Sequence, residues 1–227
     1  MTTSIHPLQA GDRAPDFELP AVNREGTVSL ADYRGKSPVF VVLVRGLHCA
    51  FCRRHLAKLT ATQEKLARDG VATVAVVNTQ PERARQYFQY RPTRVLLATD
   101  PEAQTHHAFG LPAFEVLPDS TDPRELHWPQ RYSFAELMKT SLDLDGLPGP
   151  ITLVDANAAL DTKEDFEPRP ADEESAVKHG SQLAGQFIID TDGTIRWTFI
   201  EALETPHLIG YWPSDEEIVA AARGALH

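Results

Sequence analysis

With 227 residues, 42% of them hydrophobic and 24% charged, the chain has room for one generous α/β domain or one domain carrying an insertion, and its composition excludes a disordered chain. A formal net charge of −10 makes the surface repel polyanions, which excludes nucleic acid and anionic membrane as partners. The longest apolar run, Pro38 to Val44, is too short to span a bilayer, and Met1 to His6 lacks a basic segment leading into an apolar one. The expected location is therefore cytoplasmic, without a secretory signal.

In chain order, Phe17-Glu18-Leu19 and Thr27 to Leu30 flank the turn-prone Asn23 to Gly26 and predict a hairpin. Pro38 to Val44 is a continuous β-branched run, as in a strand buried on both faces. Arg45-Gly46 ends it, and beyond the cysteines Leu56, Leu59, Leu66 and Ala67 recur at helical spacing up to Gly70. Val71 to Val77 predicts a second buried strand, Pro81 to Tyr90 a helix, and Arg94 to Ala98 a third strand. Asp100-Pro101-Glu102 supplies an N-cap, a proline at the first helical position and an acidic first turn, so a helix is expected from there to Gly110. Gln186 to Asp190 and Thr194 to Ile200 are strands joined by Thr191-Asp192-Gly193. Ser214 to Glu217 is a capping box that opens a last helix, Asp215 to about Arg223.

The stretch from about Leu111 to Gln182 interrupts this order. Its Pro/Asp/Glu-rich pieces, Leu117 to Arg124 and Asp161 to Glu174, read as loop. Between them Ser133-Phe134-Ala135-Glu136 forms a capping box, with Phe134, Leu137, Met138 and Leu142 on one helical face. A connection of this length usually has a purpose. The residues leave open a lid over the thiols, a dimerisation element or surface packing.

The two cysteines, Cys49 and Cys52, carry the strongest chemical signal. A disulfide between them closes so small a loop that it adds little stability, which leaves chemistry as their expected job. Cysteine attacks only as the thiolate. Delivery of the pair by a strand to a helix N-terminus favours that form. Arg45, Arg53 and Arg54 add positive potential, and His48 and His55 are placed to supply charge or move protons near neutral pH. The expected roles are Cys49, exposed, as attacking thiolate and Cys52, shielded in the helix, as resolving thiol, with Arg45 and Arg53 as further site residues. A zinc site from His48, Cys49, Cys52 and His55 has suitable atoms, but the adjacent His48 and Cys49 point apart in most geometries. Haem attachment needs histidine directly after the second cysteine, where Arg53 stands. Two inert buried cysteines suit an apolar setting, against which the arginines and histidines argue. No cofactor or metal is expected.

Gly11 to Pro20, Leu30 to Lys36, Asp100 with Ala108 to Leu111, and Gly185 to Gly193 together resemble the thioredoxin-like alkyl hydroperoxide reductase/thiol-specific antioxidant family. Arg45 to Arg53 resembles its peroxiredoxin-like subgroup with a Cys-x-x-Cys motif. The likeness covers about residues 10–111 and 183–222. It implies an α/β thioredoxin-like fold with an N-terminal β extension, a single domain over 1–227, and an insertion at about 112–182 before the C-terminal hairpin. It also implies an antioxidant enzyme that reduces peroxides through a Cys49/Cys52 disulfide cycle. An external thioredoxin-like or glutathione-like dithiol would restore it, and a homodimer would be ordinary.

Several positions depart from the family pattern. The usual proline and threonine before the peroxidatic cysteine fall on Val42 and Gly46 counted from Cys49, or on Arg45 and Cys49 counted from Cys52. The arginine usual before the late strand is Ala184, which is not the cis-proline of thioredoxin-type reductases either. Peroxide activation must then come from Arg45, Arg53 or helix-terminal amides. Two alternatives stand beside the peroxidase: a protein or small-molecule disulfide reductase without peroxide chemistry, and a redox-sensing partner-binding module whose disulfide state moves the insertion.

Overall fold

The turn at Asn23 to Gly26 reverses the chain as expected in the computed structural model, which describes residues 6–226; Met1 to Ile5, on which the reading of the N-terminus also rested, lie outside them. Glu18–Pro20 (β1) and Thr27–Ser29 (β2) pair antiparallel, with Leu19 opposite Val28. Val39–Val44 (β3) follows, every residue buried. The helix after the cysteines, Ala50–Arg68 (α1), leads to Ala72–Val77 (β4), then Pro81–Tyr90 (α2) and Leu96–Thr99 (β5). The third strand starts two residues later than expected, because the Val95 N–H goes to Thr93 Oγ1 at 3.2 Å and its carbonyl accepts from the Asn23 amide at 2.8 Å.

Next comes Gln104–Ala108 (α3), shorter than expected. Asp100 is not its N-cap: Ala103 takes that place with φ 53°, and the Asp100 carboxylate reaches past it to the Thr105 N–H at 2.6 Å. The intervening stretch holds Glu115–Leu117 (β6), Arg131–Ser133 (β7), Phe134–Lys139 (α4), Ser141–Leu142 (β8), Ile151–Thr152 (β9), Leu153–Glu164 (α5) and Pro170–His179 (α6). Two expectations fail here. The helix at Phe134 stops before Leu142, leaving Phe134 exposed and Leu142 buried in β8. The presumed loop 161–174 is mostly helical, because α5 runs on to Glu164, Pro170 begins α6 and the Asp172 side chain caps the Arg169 N–H at 2.9 Å. Gly185–Ile189 (β10), Ile195–Ile200 (β11) and Asp215–Ala225 (α7) complete the chain, α7 opening on the expected Ser214/Glu217 capping box.

The central sheet runs β11-β10-β3-β4-β5, with β3, β4 and β5 parallel and β10 antiparallel to both its neighbours. Strand alternation divides its residues between two cores. Phe40, Val42 and Val44 pack with Leu56 and Leu59 of α1 and Ile218 of α7, whereas Val39, Val41 and Leu43 face Phe109, Leu111 and Phe187. The sheet thus holds the carboxyl end of β3 rigidly, with five residues between it and the start of α1. Among the described residues no helix is long and apolar enough to cross a membrane.

Candidate active site

Cys49 is the N-cap of α1. Its sulfur accepts the Cys52 N–H at 3.1 Å, and Arg45 donates to it through Nε at 3.3 Å. A sulfur in this place meets an amide and a guanidinium at the positive end of a 19-residue helix, a setting that favours thiolate. The two sulfurs stand at disulfide distance with Cα atoms 5.3 Å apart, within the span a disulfide bridges without backbone movement.

Arg45 is itself fixed from behind. Its Nη1 donates to the Gln182 carbonyl at 3.1 Å and its Nη2 to Glu201 Oε1 at 2.8 Å. Glu201 is fully buried and also accepts the Gly210 N–H at 2.8 Å. The positive group at the sulfur thus enters from the end of β3, and the position before β10 holds the small buried Ala184. Arg53 lies elsewhere: its guanidinium donates to the Leu47 carbonyl, Asp161 and Glu164, and stacks 3.6 Å above the Phe166 ring. Among the described residues its hydrogen bonds tie α1 to α5 and none runs to a sulfur.

Cys49 is not the exposed thiol expected from the motif; it is only 6% exposed, and Cys52 1%. The cause is α5, which lies over the start of α1 and whose Asn157 accepts the Ala50 N–H at 3.3 Å. What remains is a cleft of about 400 Å³ leading to Cys49, walled by Phe114, Leu137, Leu153, Val154 and Ile209. His48 and Arg45 also line it.

The histidines do not supply charge near neutral pH. Burial, then the charge of Arg45, pushes His48 down to about 3. Burial pushes His55 down to about 3 as well, and its ring stacks 4.0 Å from Trp212 with Nε2 against Gln186. Gly46 lies so close to Ser175 of α6 and to the Asn78 carbonyl that a Cβ there would stand 2.6 Å from that oxygen. A larger residue at 46, such as the family's threonine, has no room here.

Sequence reasoning brought Cys49, Cys52 and Arg45 together but missed Glu201, Gln182, Asn157 and Ser175. The strand-end glutamate in Ile200-Glu201 was the one local hint, a carboxylate next to an apolar run that needs a buried partner.

A family model described as "AhpC/TSA family" matches residues 10–137. "Peroxiredoxin Bcp" of Escherichia coli (strain K12) is 27% identical over 107 residues, covering 47% of this chain and 67% of that one. The fold is similar to that of Peroxidoxin BcpB from Mycobacterium tuberculosis, with a TM-score of 0.55 at 13% identity over 97% of this chain and 99% of that one. It is likewise similar to a peroxiredoxin-like protein from Aquifex aeolicus, with a TM-score of 0.56 at 14% identity, covering 97% and 90% of the two chains. The α/β order, the central mixed sheet and the cysteine pair at the start of α1 are those of the thioredoxin-like fold. The chain belongs to the AhpC/TSA family and is a peroxiredoxin-like thiol oxidoreductase.

Proposed function

We propose that this protein reduces peroxides, with Cys49 as the attacking thiolate and Cys52 as the resolving thiol. The observation that supports this best is the pair of donors on Cys49 Sγ, the Cys52 N–H at 3.1 Å and Arg45 Nε at 3.3 Å. Both donors meet the sulfur on which the negative charge of the thiolate would rest, and so favour that form. The thiolate gives an electron pair to the terminal peroxide oxygen, the O–O bond breaks, and the leaving oxygen takes a proton. Cys49 becomes a sulfenic acid, Cys52 displaces water from it, and a disulfide results. An external dithiol of thioredoxin or glutathione type then restores both thiols by exchange.

In this reading Arg45 stabilises charge at the sulfur, while Arg53 acts at one remove by holding α5 over the site. The chain works as one domain over residues 1–227, and its 112–182 insertion is the roof of the cleft. The apolar walls suit a peroxide with an organic body. A cytoplasmic location fits, since a reducing compartment keeps such a pair turning over, and the homodimer common in such proteins belongs to the reading too.

The test mixes reduced protein with cumene hydroperoxide. Stoichiometric consumption faster than by free cysteine, with formation of the Cys49–Cys52 disulfide and loss of both in Cys49→Ser, is expected. A rate no better than free cysteine overturns the reading, and turnover of insulin disulfides in its place would establish the reductase alternative.

A further inference from the structure

The hydroxyl of Ser175 has one hydrogen and two neighbours. It donates to the Asn78 carbonyl at 2.7 Å, an oxygen that can only accept. His48 Nδ1 lies 3.2 Å from the same hydroxyl, so in that contact the ring must be the donor and Ser175 Oγ the acceptor. The neutral imidazole is thereby fixed with its proton on Nδ1. Its Nε2 keeps a bare lone pair, and this atom is buried with no hydrogen-bond partner among the described residues. Burial beside Arg45 keeps the ring neutral. A buried acceptor without a donor is costly, and the ring lines the cleft it shares with Cys49, where an incoming molecule can supply one.

We propose that His48 Nε2 accepts the hydroxyl proton of the peroxide, which makes His48 a further catalytic residue of the peroxide reaction. The inference rests on the peroxidase reading above. The substrate it selects has an O–H donor at the reacting end, which a hydroperoxide has and a disulfide lacks. The thiolate forms the S–O bond to the hydroxyl oxygen, and the O–O electron pair leaves with the other oxygen. The hydroxyl proton, relayed through Nε2, goes to that leaving oxygen. The products are a sulfenate and an alcohol, with one negative charge before and after, and the imidazole is returned unchanged.

The experiment compares two reactions of Cys49 in the reduced full-length protein: oxidation by cumene hydroperoxide and alkylation by iodoacetamide. Both need the thiolate, and iodoacetamide brings no hydroperoxide proton. In His48→Asn the amide can still donate to Ser175 but has no atom at the Nε2 position. Its peroxide rate is expected to fall roughly 100-fold while alkylation stays within about threefold. His48→Gln, whose longer amide can present an oxygen to the cleft, is expected to recover to within roughly tenfold of wild type. Ser175→Ala frees the Nδ1 proton and is expected to slow peroxide selectively, by roughly tenfold. A His48→Asn variant that reduces peroxide as fast as wild type, as a cleft that merely holds water there would predict, overturns the inference alone. So does a parallel fall of both rates, which would mean a structural role. Failure of the wild type to outpace free cysteine overturns the peroxidase reading and this inference with it.

Discussion

Glu201 holds Arg45 in a buried ion pair of 2.8 Å, and that pair turns the guanidinium so that its Nε faces Cys49 Sγ at 3.3 Å. The carboxylate therefore orients the cation and offsets its desolvation, while the sulfur receives an N–H rather than a bare charge. Arg45→Met is expected to lower the rate with cumene hydroperoxide roughly 100-fold, by loss of one aimed donor. It also strands Glu201, at a cost of about 3–5 kcal/mol in a urea unfolding measurement. The double variant Arg45→Met/Glu201→Leu removes the stranded charge and should regain most of the stability. If it also regains the rate, Arg45 serves the fold and not the sulfur.

Arg53 presents a different arrangement, a fully buried guanidinium between two carboxylates that are 28% and 23% exposed. Replacing it with methionine removes the tie between α1 and α5 and is expected to cost about 2–3 kcal/mol. Amide exchange over residues 153–164 should accelerate, and iodoacetamide should reach Cys49 faster. Unchanged protection of α5 would show that its packing, not Arg53, keeps it over the cleft.

What the sequence disclosed follows the range of the forces involved. Val39–Val44, Pro81–Tyr90 and the Ser214 cap were legible because β-branching, an N1 proline and a capping box act within a few residues. The Cys-x-x-Cys pair and Arg45 were legible for the same reason. Helix α5 was not: it has no apolar stripe, burying only Ala156 and Leu160, and it is held by Arg53 from more than a hundred residues earlier. The Ser175 contact with His48 and the Glu201 contact with Arg45 span similar distances along the chain. Proline and acidic residues around 161–174 suggested loop because, without a partner, such a segment would be one.

Stability should depend on pH in a direction the histidines set. His48, His55 and His106 are each pushed from 6.5 down to about 3, with burial the first cause in every case. Below 6.5 the unfolded chain takes up protons that the folded chain refuses until about 3. The contribution is therefore complete above the unfolded value and is lost as the pH falls through that window. Each histidine adds up to about 1.4 kcal/mol per pH unit to the slope. Thermal melts from pH 7.5 to 4.5 should show the decline, and His106→Leu should flatten it. A slope unaltered by that substitution would assign the acid sensitivity to other groups.

The cleft itself makes a prediction about size. Its volume is about 400 Å³, and its walls are chiefly apolar side chains of α5 and the segments around it, so an organic body would bury surface there that hydrogen peroxide does not have. Ala158, on α5 at the margin of this space, is remote in role from the donors on the sulfur. Ala158→Trp narrows the space without altering Arg45, His48 or either cysteine. The rate with cumene hydroperoxide should fall roughly tenfold, while the rate with hydrogen peroxide stays within about twofold. The discrimination is the informative quantity: a change in the thiolate would move both rates together, and only a steric wall separates them. Equal rates before and after the substitution, for both peroxides, would show that substrate reaches Cys49 by another route.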